Sequence, residues 1–292
     1  MITYILALLL MLPTPALPLA PPLALKTLLS SNTCHLMPCV YDGLSASLVA
    51  RSHHHFNVTF QTGFGVASVA GYPDAGILQR AENNNAAFTV AEALANTALS
   101  HNRSPIPCIA DGDTGHGSAM NIRRTIHQYG RAQMAGVMIE DQVSPKRCGH
   151  VDGKEVVAFE EAVRRIKIAC DARDEYELLY NTPGPLILAR TDARGVADGT
   201  LEDAIRRCQA FIDAGADLTF LEAPQTVAEM EEYCERVPGP KVSKLLRARG
   251  YLTVQDDNKI CSLCQKGANS EPMVKHEDEP TPTPQSPSQA SH

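Results

Sequence analysis

Six apolar runs, each closing on a polar or acidic turn, divide this chain at intervals that few folds accept. They read "HLMPCVYDG" (35–43), "VTFQTG" (58–63), "PIPCIADGD" (105–113), "GVMIED" (136–141), "LILARTD" (186–192) and "LTFLEA" (218–223). Between the later runs the periodicity is helical. Val156, Phe159, Val163, Ile166 and Cys170 are spaced 3, 4, 3, 4, and Leu201, Ile205, Cys208 and Ile212 are spaced 4, 3, 4. Each set predicts one buried helical stripe. In "QMAGVMIED" and "DAGADLTFLEA", Gly136 and Gly215 stand between helix and strand, where glycine is expected to end the helix in the left-handed conformation.

Near-continuous apolar strands that alternate with helices predict a parallel sheet covered on its other face. An open doubly wound sheet and a (β/α)8 barrel of the TIM type both satisfy that pattern. The strand ends decide between them. Asp111 and Asp113, Glu140 and Asp141, Asp192, and Glu222 all fall at or just beyond the C-terminal ends of different strands. A barrel gathers those ends at one mouth, where active sites sit, whereas an open sheet spreads them along an edge. The glycines of "DGDTGHG" do not make a GxGxxG turn after the first strand, which argues further against a dinucleotide fold. The fold class expected is therefore α/β, of the barrel type.

Carboxylates converging without histidines make a hard oxygen-ligand site, suited to Mg²⁺ or Mn²⁺ rather than zinc. A single strand-end acid is more often a helix cap or a surface ion-pair partner. Asp111, Asp113 and Glu140 together are not, because three strand ends coincide. Arg190, the one cation inside its strand, could hold a substrate carboxylate or a developing oxyanion. It could equally be a buried partner of Asp192 or Glu222. "QTGFG" (61–65) offers backbone N–H groups to a carboxylate, a weak signal by itself. The stretch "VMIEDQVSPKRCGH" (137–150) then sets Cys148 in a loop long enough to fold over the mouth, with Lys146, Arg147 and His150 beside it. Cations next to a thiol favour proton exchange near neutral pH.

"CVYDGLSASLVA", "VTFQTGFGVASVAGYPDAG", "IADGDTGHG", "VMIEDQVSPKRCGH", "ILARTDAR" and "FLEAP" follow one another here. In that order they resemble the isocitrate lyase/phosphoenolpyruvate mutase superfamily, most of all its short branch of methylisocitrate and dimethylmalate lyases. The resemblance covers about residues 32–241. It implies an Mg²⁺-dependent barrel that cleaves a 2-hydroxy di- or tricarboxylate by retro-aldol chemistry, giving an α-oxo acid and a carboxylate. It also implies roles. Asp113 would be the direct metal ligand, Asp111 and Glu140 would hold metal-bound waters, and Asp74 would support them. Thr62 and Gly63 would bind a substrate carboxylate, with Thr where methylisocitrate lyases usually have Ser. Arg190 and Glu222 would line the pocket. Cys148 would protonate the carbanion, supported by His150 and Lys146. Oxaloacetate hydrolysis, phosphonomutase chemistry and a non-catalytic homologue are the alternatives.

After "VPGPK" (237–241) no further βα unit can be read, so about six units of an incomplete barrel are expected. Without the family's late helix, which its members exchange between subunits, the homo-oligomer that the resemblance implies loses its main support. The Val-Ser that follows Lys241 is what a translated splice donor would encode. Residues 242–292 are expected to be a divergent tail, disordered where Pro, Ser and acids dominate. "CSLC" (261–264) is a single CxxC and not a zinc site. At the other end, residues 1–31 read as an apolar extension outside the 32–241 barrel. Ile5–Leu12 has the length of a signal-peptide core but no basic residue before it. That favours a cytoplasmic protein over a secreted one, and nine scattered cysteines suit reduced thiols. A formal charge of −7 gives no overall attraction to nucleic acid or an anionic membrane. The expected partner is a small carboxylic acid.

Overall fold

The structure is a computed structural model that describes residues 19–31, 33–52, 54–149 and 153–243. The apolar segment 1–18, His150 and the chain from residue 244 lie outside the described residues. Seven parallel strands pair in sequence order: β1 (Cys39–Val40), β2 (Thr59–Gln61), β3 (Cys108–Asp111), β4 (Gly136–Glu140), β5 (Leu186–Thr191), β6 (Leu218–Leu221) and β7 (Lys241–Val242). The helices are α1 (Pro21–Leu29), α2 (Gly43–Arg51), α3 (Gly63–Val69), α4 (Arg80–Ser100), α5 (Ala119–Arg131), α6 (Phe159–Tyr180), α7 (Leu201–Asp213) and α8 (Val227–Arg236). This is a TIM-type barrel left incomplete, with β1 and β7 as its two edges among the described residues.

Strand periodicity sorts the side chains. Cys108, Ala110, Val137, Ile139, Ile187 and Ala189 face outward into one core with Ile122, Ile126, Tyr129, Ile166 and Phe211 from the helices. The alternate residues Ile109, Met138, Leu186, Leu188, Leu218 and Phe220 face inward and make a second core on the barrel floor. Leu25 of α1, 2% exposed, belongs to that floor. Burying one leucine contributes about 1.5–3 kcal/mol.

The structure corrects the sequence reading at four places. The barrel begins at α1, so the boundary at residue 32 cuts off a helix that packs inside it. A seventh strand exists, since Thr219 and Phe220 of β6 pair with Lys241 and Val242. Two residues, one of them charged, were too short for the pattern to show. Gly215 does end its helix at φ +104, but in the other helix Gln133 takes the left-handed turn at φ 59. Gly136 is instead the first residue of β4, where a Cβ would stand 3.1 Å from the Leu186 carbonyl oxygen. Finally, Val156 precedes α6 and pairs antiparallel with Gln142. The stretch of Asn and Ala residues between Asp74 and Asp111 forms the long helix α4.

Candidate active site

The inward rows that fill the floor with apolar side chains end, two residues further on, in polar ones. Val58 and Phe60 lead to Thr62, Ile109 to Asp111, Met138 to Glu140, Leu188 to Arg190, and Phe220 to Glu222. A period of two allows nothing else, so charge collects at the C-terminal mouth. The register sharpens this, because Glu140 stands opposite Arg190 and Arg190 opposite Phe220.

One half of the mouth is acidic. Asp111 accepts from the Gly63 N–H at 3.1 Å and from the Asp113 N–H at 3.0 Å. A Cβ at residue 63 would lie 2.9 Å from that carboxylate, so glycine is what lets Asp111 approach the backbone. The Gly63 N–H therefore serves Asp111 here. Asp113 sits in the left-handed region at φ 47 and accepts from the Asn83 amide at 3.2 Å. The Lys146 ammonium lies 3.0 Å from Asp113 and donates to Asp74 at 2.5 Å. The resemblance assigns Lys146 to the thiol, but the structure places its ammonium among the carboxylates. A narrow cleft lined by Gly63, Asp74, Gly76, Asn83, Asp113 and Lys146 opens on this side.

Burial, and then the charge of Asp113, pushes the Asp111 carboxyl up. Burial also pushes Glu140 well above the usual carboxylate range, even with Arg190 nearby. For Lys146 burial works against the charge, yet Asp113, Asp111, Glu140 and Asp74 outweigh it and raise its pKa. Four carboxylates thus share one ammonium.

The other half is balanced. Arg190 donates through Nε and Nη2 to both oxygens of Asp192, at 2.9 and 3.0 Å. It lies 3.3 Å from Glu222 and 3.4 Å from Glu140. Its guanidinium stands 5.4 Å from the centre of the Phe220 ring. Burial opposes the charge, but Asp192, Glu222 and Glu140 hold Arg190 firmly cationic. Asp192 is itself buried, and Arg190 and Lys154 overcome that burial to keep its carboxyl below the usual range. Beneath it Asp141 accepts from Thr191 Oγ1 at 2.7 Å, from the Asp192 N–H at 2.9 Å and from Arg207 at 3.1 Å. Burial nonetheless lifts Asp141 to about 6.

The chain between β4 and α6 carries the thiol over the balanced half. Its base is stapled, since Val143 N–H donates to Glu155 O and Val157 N–H to Asp141 O, both at 2.9 Å. The buried Gln142 side chain holds Arg147 by its N–H and its C=O, both at 3.0 Å. Cys148 follows, half-buried. Gly149 then lies directly on the ion pair: a Cβ there would stand 2.6 Å from Arg190 Nη2 and 2.9 Å from Glu222. A side chain at that contact would have to displace the pair.

Every candidate donor for a metal on the acidic side is a hard oxygen. Glu140 Oε1 is buried without a hydrogen bond, and Asp113 Oδ1 meets only the Lys146 ammonium. Both fit a divalent cation. Among the described residues no three His, Cys, Asp or Glu side chains form a ready-made cage.

Sequence reasoning did not single out Asn83 or Lys154. Asn83 comes from α4, and nothing in "ENNNA" distinguishes it from its neighbours. Lys154 is 4% exposed, and its ammonium donates to Gly149 O and lies 3.3 Å from Asp192. A Lys-Glu pair ahead of two valines is ordinary in sequence, so no signal marks the lysine as buried.

Comparison with known proteins gives the site its context. The phosphoenolpyruvate phosphomutase family matches residues 25–260, which begins inside α1 and runs past Lys241, wider than the 32–241 read from motifs. A 2,3-dimethylmalate lyase of Eubacterium barkeri is 36% identical over 223 residues, 76% of this chain and 70% of that protein. The chloroplastic carboxyvinyl-carboxyphosphonate phosphorylmutase of Arabidopsis thaliana is 38% identical over 72% of this chain, which spans 58% of that protein's length. Among solved structures, an oxaloacetate acetylhydrolase bound to 3,3-difluorooxalacetate superposes with TM-score 0.69 at 30% identity, covering 83% of this chain and 78% of the other. A phosphonopyruvate hydrolase complexed with oxalate and Mg²⁺ superposes with TM-score 0.67 at 25% identity, covering 85% and 78%.

Proposed function

Because the chain belongs to the phosphoenolpyruvate phosphomutase family, within the PEP mutase/isocitrate lyase superfamily, we propose that it is a carbon–carbon lyase. Its substrate is a 2-hydroxy di- or tricarboxylate resembling dimethylmalate or methylisocitrate. One observation carries the reading: five inward strand rows end in one charged mouth, and the residue after Cys148 is seated on its Arg190–Glu222 pair.

The chemistry follows from those positions. A carboxylate of the mouth takes the proton of the 2-hydroxyl, the adjacent carbon–carbon bond breaks as the carbonyl forms, and the bond's electrons pass into the departing carboxylate fragment. Arg190 is held by Asp192 and leaves Nη1 without a hydrogen bond among the described residues. It faces the developing negative charge. Cys148 returns a proton to the carbanion, completing the second product. Thr62 carries recognition of a substrate carboxylate, since the Gly63 N–H is engaged by Asp111. Asp113 would hold Mg²⁺ or Mn²⁺ directly, with Asp111 and Glu140 through water and Asp74 in support. When bound, the ion polarises the substrate's α-oxygen and keeps these carboxylates ionised.

The test is to incubate the protein with Mg²⁺ and each of 2,3-dimethylmalate, 2-methylisocitrate, isocitrate, oxaloacetate and phosphonopyruvate, and to measure α-oxo acid or oxalate by NMR. Metal-dependent cleavage of a 2-hydroxy acid supports the lyase. Oxalate release from oxaloacetate alone would favour hydrolysis. A folded protein inert toward all five would make it a non-catalytic homologue.

A further inference from the structure

The residue before the thiol and the residue after it are each fixed by one buried side chain. Gln142, 1% exposed, holds Arg147 by both backbone groups. Lys154, 4% exposed, donates to the Gly149 carbonyl. Gln142 belongs to the stapled base of the segment, so it would hold Arg147 wherever the thiol stood. Lys154 is different, because its ammonium also lies 3.3 Å from Asp192 Oδ1, the oxygen that takes Arg190 Nη2 at 3.0 Å. A single carboxylate oxygen therefore joins the backbone beside the thiol to the arginine of the mouth. Gly195 walls the lysine in, since a Cβ there would stand 2.6 Å from Nζ. A buried lysine is costly, and here Asp192 offsets its charge while the Gly149 carbonyl accepts a hydrogen bond from it.

We propose that Lys154 is a positioning residue for Cys148: by bonding Gly149 O and Asp192 together it sets the thiol against Arg190. Asp192 already has both arms of the Arg190 fork, so the lysine is its second cation. What it adds is a fixed location for the backbone that bears the thiol. The catalytic consequence rests on the lyase reading, while the positioning itself does not.

The test compares wild type with Lys154→Met, which keeps the aliphatic stem, and Lys154→Arg, which keeps charge and reach. Iodoacetamide labelling of Cys148 is followed by peptide mass spectrometry on the folded protein, with the fold checked by circular dichroism. Removing a hydrogen bond from a charged donor should speed Cys148 labelling by about tenfold or more in K154M, with K154R closer to wild type. In turnover, kcat should fall about 10- to 100-fold with KM nearly unchanged, since the thiol is misplaced and substrate binding is not. Labelling of Cys148 at the wild-type rate in folded K154M overturns the proposal. So does a fall confined to KM. Faster labelling in a protein that turns over none of the five acids would uphold the positioning and defeat the lyase reading instead. Should K154M not fold, Lys154→Gln decides, because it removes the charge and shortens the donor: Cys148 labelling at the wild-type rate in folded K154Q overturns the proposal, and faster labelling upholds it.

Discussion

The two halves of the mouth are built from the same strand-end positions but obey opposite electrostatics. On one side Asp74, Asp111, Asp113 and Glu140 share the Lys146 ammonium, and burial pushes Asp111 and Glu140 upward. On the other, Arg190 and Lys154 match Asp192 and Glu222, and the Asp192 carboxyl is held down. Folding alone accounts for the balanced half. The acidic half sets four carboxylates around one ammonium, and that imbalance is what the proposed Mg²⁺ or Mn²⁺ would correct.

Substitutions should therefore separate activity from stability differently in each half. The largest effect is expected from Asp113→Asn, which should lower turnover about 10³-fold or more while unfolding stays within about 1 kcal/mol of wild type. Steady-state kinetics and urea denaturation would show both. Arg190→Met should cost about 10²- to 10³-fold in kcat and, unlike the first, also about 3–5 kcal/mol of stability, because Asp192, Glu222 and Glu140 lose their shared cation. If R190M kept wild-type stability, the contrast between the halves would fail. Asp74→Asn is milder, since Lys146 retains Asp113; metal affinity by calorimetry should weaken about tenfold.

The smallest effect is a pH dependence of a few degrees in Tm. Asp111 and Glu140 have raised pKa values in the folded chain, so they hold protons that the unfolded chain has released. Their contribution is present at low pH and is lost as pH rises through their folded values. A divalent cation binds only the ionised pair. Mg²⁺ should thus raise Tm more at pH 8 than at pH 5, and an equal gain at both would break the link.

How far the sequence alone reached can be judged from particular residues. Strands β2 to β6 were legible because near-continuous apolar runs with acids at their ends leave little choice, and Asp111, Glu140 and Glu222 were legible as the ends of those rows. The short strand β7 was not, because Lys241 and Val242 carry no period. Nor was the destination of Lys146, since four flexible bonds let an ammonium reach carboxylates or thiol from the same backbone position. Lys154 and Asn83 arrive from a loop and a helix whose paths depend on packing that no local pattern encodes. Residue types were readable at the mouth, and their pairings were not.

The floor of the barrel has its own consequence, which concerns where translation starts. Leu25 reaches the floor from α1, a helix that lies ahead of Met37 and behind Met11. A polypeptide initiated at Met11 would still carry that stopper. One initiated at Met37 would leave Ile109, Met138, Leu188 and Leu218 facing water at the end away from the chemistry. The shorter product should be sticky and poorly recovered, however intact its reactive face.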